Sequence, residues 1–300
     1  MRLLDLEKET IDIKIVRDGE FDCVYLSGRN CNKEKDNISF VNSEKYVEAA
    51  IKDDVNCLIC RPEIVDYVTS EFQGGICVSS EPKKTLFEIH KIVVGKTTVC
   101  KENIIGRNVQ IHPSACIDKC NVVIGDNVVI GAYTSIKSGT VIGNNVNIMD
   151  NCVIGTPAFY YFGDGDKKQL VTSNGGVIIE DNVVLHNGVI VEKGVIGGNS
   201  ILGRNTKIDQ NTVIGHDTHI ENDCIIALNG MFAGWTHIGE KTFVGISVST
   251  APAVSIGKRC KISIGSVVTT DVLDDTHVSG NFAINHDAFI KNLKQINARD

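Results

Sequence analysis

The sequence predicts a mainly β chain: a parallel β-helix solenoid, preceded by a small α/β domain and followed by a short C-terminal helix. Three observations carry this. From Ile124 to Val268 an aliphatic or aromatic residue occupies every sixth position. The series runs Ile124, Ile130, Ile136, Ile142, Ile148, Ile154, then Ile178, Val184, Ile190, Ile196, Leu202, Ile208, Ile214, Ile220, Ile226, Phe232, Ile238 and Val244, and on to Val268, with Thr250 its polar member. That period fits neither a helix of about 3.6 residues per turn nor an alternating strand. It fits a solenoid whose coil has equivalent flat sides, each giving one inward side chain per six residues. Second, two residues before these positions stand small or turn-prone residues: Asn182, Gly188, Gly194, Ser200, Thr206, Thr212, Thr218, Cys224, Gly230, Thr236 and Thr242. Tight corners need such residues. Third, glycine often comes directly after the inward residue, as in Ile124-Gly125, Leu202-Gly203 and Ile214-Gly215.

Residues 1–98 lack the repeat and read as an α/β domain. Strands are expected at Asp22–Leu26, Ile38–Val41, Val55–Cys60 and Gly75–Val78. Ser43 to Asp53 reads as a helix that Ser43 caps, and Pro82 to Ile92 as a helix leading into the solenoid. The solenoid spans 99–281. Ile105, Ile111 and Ile117 are one residue out of phase with the series that starts at Ile124, which a single insertion near Cys120 explains. Residues 156–176 interrupt the repeat. Ile154 and Ile178 stay in phase, so this segment is expected to be a loop extruded from an unbroken coil. Its four consecutive aromatics, Phe159 to Phe162, suit contact with a ligand or another subunit. Residues 282–300 carry Phe289, Ile290, Leu293 and Ile296 at helical spacing, a segment able to cap the open end of the solenoid.

Composition excludes several classes. The 300 residues hold 30 basic and 37 acidic side chains, net −7, with no basic block for nucleic acid. No stretch reaches the roughly 18 apolar residues of a membrane span. The first residues carry acids and lack the apolar core of a secretory signal. Eleven cysteines lie mostly among apolar neighbours and read as free thiols in a reducing cytoplasm. Cys57 and Cys60 read as part of a buried strand, because no second pair or histidine stands at zinc spacing after them.

The coil of three six-residue sides is also a ruler, because residues 18 apart stack. His216 lies two residues past the inward Ile214 and is expected to face outward near a corner, between Gly198 and Gly234. An imidazole flanked by glycines sits in a slot that a substrate can approach closely. His219 and His237 stack, but no third histidine shares their register, whereas a catalytic zinc normally needs three protein ligands. No metal is expected. His186 is placed on another face, stacked with Arg204 and Asn222.

The repeat resembles that of the hexapeptide-repeat, left-handed parallel β-helix acyltransferases of bacteria. The whole chain resembles the UDP-3-O-acylglucosamine N-acyltransferase family and related nucleotide-amino-sugar N-acyltransferases. Three stretches carry the likeness: Ile38 to Tyr46, the loop after Gly155, and Ile208-Asp209-Gln210 with Ile214-Gly215-His216 and Phe232-Ala233-Gly234. The resemblance implies a left-handed coil, a homotrimer and a thioester donor, acyl-CoA or acyl carrier protein, as co-substrate with no tightly bound cofactor. It implies His216 as general base, Asp209 or Asp217 orienting it, and Gly234 beside the thioester. It further implies Phe40 and Tyr46 sandwiching a uracil within a segment that includes Asn42 and Ser43, with Phe159, His186 and Glu192 facing substrate. Trp235, Met231 and Phe232 would bound the acyl pocket. Three departures stand out: Ala253 where the family has a second histidine, Asp217 where it has asparagine, and Glu192 where it usually has aspartate. The C-terminal extension that docks the carrier protein is much reduced. Together they favour an N-acyltransferase using acyl-CoA on a nucleotide-linked amino sugar for surface polysaccharide, such as the O-antigen of lipopolysaccharide. The alternatives are the lipid A enzyme using 3-hydroxyacyl carrier protein, and a trimeric scaffold or zinc protein without transferase activity.

Overall fold

The computed structural model describes residues 1–9, 11–26, 36–163, 165–280, 283 and 285–297. The N-terminal domain is a five-stranded sheet: β1 (Lys14–Arg17), β2 (Cys23–Val24), β3 (Asn37–Val41), β4 (Cys57–Cys60) and β5 (Gly75–Val78). The order is β1-β5-β4-β3-β2, with β1 antiparallel to β5 and the other pairings parallel. Apolar runs such as Cys57-Leu58-Ile59-Cys60 are wholly buried, as a sheet covered on both faces requires. Crossovers pass through α1 (Val47–Lys52) and α2 (Val65–Glu71), and α3 (Pro82–Thr97) leads out to the solenoid. Strand β1 and helix α2 were not expected from the sequence. Ser43 is extended and makes no capping bond, and a 3-10 turn at Glu44–Tyr46 separates it from α1.

The solenoid stacks three parallel sheets of nine, eight and eight strands, as in a left-handed β-helix. Its core is the inward series, including Ile142, Leu202, Ile208, Ile214 and Ile220, all at most 1% exposed. Thr250 sits inside without penalty, because its hydroxyl bonds Thr236 Oγ1 at 2.9 Å and accepts the Ala233 N–H at 3.2 Å. Corners turn through left-handed backbone three residues before most inward positions, at Asn127, Asn145, Asn205, Asn211 and Asp223 among others. Asparagine and aspartate tolerate that conformation best after glycine. The threonines two residues before, Thr206, Thr212 and Thr218, are buried and fill the corner from within.

Strand register corrects the phase in one region. Ile105, Ile111 and Ile117 pair with partners 19 residues on, in line with an insertion near Cys120. The coil does not resume at Ile178. Ile142 pairs with Ile179, Ile148 with Leu185 and Ile154 with Val191, each 37 residues apart. Ile178, Val184 and Ile190 are therefore outward and half-buried, and Ile196 packs on the N-terminal domain. A second excursion, between Glu192 and Asn199, makes the next coil 23 residues long. The two excursions add 19 and five residues to a regular coil, together a multiple of six, so the count hides both.

Both excursions emerge at one corner and form the seat of the N-terminal domain. Ala158, Val171, Val195 and Ile196 share a core with Leu3, Phe21, Ile38 and Phe87. The long excursion closes as a hairpin, Tyr161–Phe162 against Gln169–Leu170. The buried His90 of α3 ties to it, its Nε2–H donating to the Thr172 carbonyl at 2.8 Å. His90 Nδ1 is buried with no partner among the described residues, and burial holds the ring below the ordinary histidine pKa. The unfolded chain then binds a proton that folded His90 resists. Stability is full above about pH 6.5 and falls as pH drops through that value toward the lowered folded pKa. Melting scans at pH 7.5 and 5.5 are expected to show a larger loss for wild type than for His90→Gln; equal losses would remove His90 as the cause.

One further expectation changes. Cys100 is bridged to Cys120, while eight described cysteines are free and Cys31 lies outside the described residues. The expectation of eleven free thiols does not hold. The C-terminal helix α4 (His286–Asn297) forms and is exposed from His286 to Phe289. The side chains of Leu293 and Ile296 lie outside the described residues.

Candidate active site

His216 comes two residues after the strand Val213–Ile214, at the corner where both excursions emerge. Its side chain points away from the solenoid core, as expected, yet it is 9% exposed rather than lying in an open slot. Trp235 covers it edge-on with ring centroids 4.3 Å apart. Tyr160 packs on both, 5.8 Å from His216 and 5.7 Å from Trp235. This cover was not expected from the sequence. Trp235 occupies a left-handed corner (φ +60°) where most coils place asparagine or aspartate, and so large a ring there was the available signal. In the aromatic run the rings alternate: Tyr160 and Phe162 pack inward, whereas Phe159 and Tyr161 are 83% and 48% exposed. Four rings exposed together is therefore corrected to two.

Asp217 pairs with His216. Its Oδ2 lies 3.0 Å from His216 Nδ1 and also accepts the Val195 N–H at 3.0 Å. A carboxylate only accepts, so Nδ1 carries the proton and Nε2 keeps a free lone pair. The short excursion supplies this support: Val195 grips Asp217, and Glu192 Oε2 accepts the His216 backbone N–H at 3.1 Å. Glu192 thus braces the histidine backbone. Asp209, the other candidate, is spent elsewhere. The 23-residue coil pairs Leu185 with Ile208, so His186 meets Asp209 at 3.5 Å rather than Arg204 and Asn222.

Gly234 lies against the Nε2 edge of the His216 ring. A Cβ built there would stand 2.4 Å from His216 Nε2, so only glycine permits this approach. Its N–H makes no hydrogen bond within the chain among the described residues. Of the acyl-pocket residues, Phe232 is turned into the core and Met231 is outward on the sheet, so only Trp235 reaches His216.

The nucleotide residues are less concentrated. Asn42 lines a cleft of about 350 Å³ between the N-terminal domain and the hairpin, with Arg61, Lys83, Lys84 and Tyr161. Phe40 is half-buried against the domain core, Tyr46 is half exposed under the Lys45 ammonium, and neither they nor Ser43 line that cleft. The two rings make no contact with each other among the described residues. His219 and His237 stack 5.5 Å apart, and His237 Nε2 meets Glu221 at 3.1 Å. Among the described residues no three histidine, cysteine or acidic side chains are grouped to hold a metal ion. Nor is any helix among them long and apolar enough to cross a membrane.

Comparison with known proteins agrees with this architecture. Residues 121–156 match the family described as bacterial transferase hexapeptide (six repeats). Residues 171–193 and 236–270 match the hexapeptide repeat of succinyl-transferase. The UDP-N-acetylglucosamine acyltransferase from Campylobacter jejuni is 26% identical with a TM-score of 0.53, over 60% of this chain and 68% of that one. The corresponding acyltransferase of Bacteroides fragilis 9343 is also 26% identical, with a TM-score of 0.47 over 64% and 74%. The acetyltransferase domain of PglB from Neisseria gonorrhoeae FA1090 aligns at 14% identity and a TM-score of 0.24, over 82% and 98%. Part of the solenoid thus matches the bacterial transferase hexapeptide repeat, and the chain resembles the hexapeptide-repeat acyltransferases.

Proposed function

We propose that this chain is an N-acyltransferase moving an acyl group from acyl-CoA to the amine of a nucleotide-linked amino sugar, for surface polysaccharide synthesis. One observation carries the reading: a buried His216–Asp217 pair whose free Nε2 faces the backbone of Gly234. In the proposed step the amine nitrogen attacks the thioester carbonyl carbon while its proton passes to Nε2. The Gly234 N–H receives the developing oxyanion. The C–S bond then breaks, and the leaving thiolate takes the proton from Nε2. An imidazole suits both transfers, since it can take a proton as a base and return it as an acid.

The likeness to the C. jejuni enzyme, whose name gives a UDP-linked amino sugar, supports a nucleotide-sugar acceptor. The homotrimer that the resemblance implies and a cytoplasmic site belong to this reading. Exposed Leu228, Ile246 and Ile264, stacked on successive coils, support self-association. The test is release of free thiol from acetyl-CoA that depends on an added UDP-linked amino sugar. Release from an acyl carrier protein but not from acetyl-CoA would favour the lipid A alternative, and no release from either would favour the scaffold. Phe159 offers a finer check. Because its ring is 83% exposed, Phe159→Ala is expected to change stability by less than about 0.5 kcal/mol. The same variant is expected to raise KM for the sugar nucleotide and not for the thioester; an unmoved KM takes Phe159 out of the site.

A further inference from the structure

We propose that the cleft between the N-terminal domain and the aromatic hairpin grips the diphosphate of a nucleoside diphosphate, with Arg61 and Lys83 as its cations and Tyr161 as the wall for the attached ring. This deepens the proposed function and rests on its nucleotide-linked acceptor.

The placement comes from the sheet. Asn42, Arg61 and Pro82 lie just beyond the carboxyl ends of the adjacent parallel strands β3, β4 and β5. Crevices at that edge of an α/β sheet are where such folds take ligands. The charge is the second observation. On a chain of net −7, this cleft gathers Arg61, Lys83 and Lys84 against a single acid, Glu81. Glu81 is held by Lys84 at 2.9 Å. Arg61 and Lys83 have no carboxylate partner among the described residues. Two uncommitted cations in a concave site suit a dianionic group, and arginine can grip phosphate through two parallel bonds. The start of α3 adds to the field: its first turn holds no acid, and the Glu81 side chain makes no capping bond to the helix N–H groups.

The hairpin links this cleft to the base. Tyr161 lines the cleft, while its neighbour Tyr160 turns the other way onto His216. One strand of one hairpin therefore separates the diphosphate grip from the imidazole. The cleft of about 350 Å³ suits the diphosphate and one ring, not a whole sugar nucleotide.

The experiment is calorimetric titration of UDP and of inorganic pyrophosphate into the full chain and into an Arg61→Ala/Lys83→Ala variant. A Lys207→Ala variant, on a distant solenoid face, serves as control. Both ligands are expected to bind wild type and the control, and the double variant is expected to lose about tenfold or more in affinity for each. Arg61→Lys should recover part of the loss, since charge returns without the planar fork. Unchanged UDP affinity in the double variant, or no binding of either ligand to wild type, overturns the assignment. The readout is independent of turnover. UDP binding that the double variant loses, in a protein with no transfer activity, keeps this site and rejects the acyl-transfer reading. Transfer with an unchanged KM for the sugar nucleotide does the reverse.

Discussion

His216→Ala is expected to lower kcat for acyl transfer by about 10²–10⁴, the usual worth of a positioned general base. The loss should fall on kcat and leave both KM values within a few-fold, because the ring's work is proton transfer. The pair geometry supplies a second arm. Asp217→Asn keeps size and tolerance of the left-handed corner at φ +55°, so the fold should survive. It removes the carboxylate that fixes the Nδ1–H tautomer, so kcat should drop by orders of magnitude with little change in melting temperature. Asp209→Asn is the contrast: Asp209 faces His186, and its loss should leave kcat far less affected. Near-wild-type turnover in His216→Ala would end the general-base assignment. A larger loss for Asp209→Asn than for Asp217→Asn would end the pairing while leaving the base.

The choice between the two aspartates shows what the sequence carries and what it conceals. The six-residue period reports the inward series faithfully wherever coils are regular. Between Leu202 and Val268 every neighbour predicted by the 18-residue ruler is the observed one, His219 over His237 included. Between Ile154 and Leu202 the ruler fails, although the aliphatic series keeps its count across the interruption. Excursions of 19 and five residues cancel modulo six, so outward Ile178, Val184 and Ile190 impersonate inward residues. Any aliphatic on a solenoid wall satisfies the same pattern whichever way it points. The signals that discriminate are the corners: Asn182 (φ +61°) and Gly188 (φ +74°) belong to the left-handed class three residues before Leu185 and Val191. The error falls where function is built. The five extra residues supply Val195 to Asp217 and place Glu192 on His216, while the 19 supply Tyr160. The N-terminal sheet was readable from its apolar runs, but Arg61 and Lys83 meet only through strand order, and spacing does not report that.

Gly234→Ala is expected to lower kcat by about 10²–10³, comparable to losing an oxyanion donor, and to do so by geometry alone. Gly234 is not among the positive-φ residues, so alanine brings no backbone strain there. The cost is steric and specific. The new methyl carbon falls 2.4 Å from His216 Nε2 and 2.5 Å from Cε1. Real contacts do not reach such distances, so either the ring or the coil must move. The ring has little freedom: Asp217 holds Nδ1, Trp235 stands 4.3 Å away and Tyr160 packs edge-on at 5.8 Å. Moving the coil breaks into the Phe232 and Thr250 packing beneath it. Overpacking of this kind costs about 1–3 kcal/mol, enough to lower the melting temperature and not to unfold a long solenoid. Gly95→Ala in α3 is the matched control, since a methyl there meets nothing within 4 Å and helix propensity favours it. That variant should keep full activity and gain slight stability. A Gly234→Ala protein that stays folded and turns over at the wild-type rate would mean that Nε2 does not face the reacting atoms, and the proposed mechanism would fall with it.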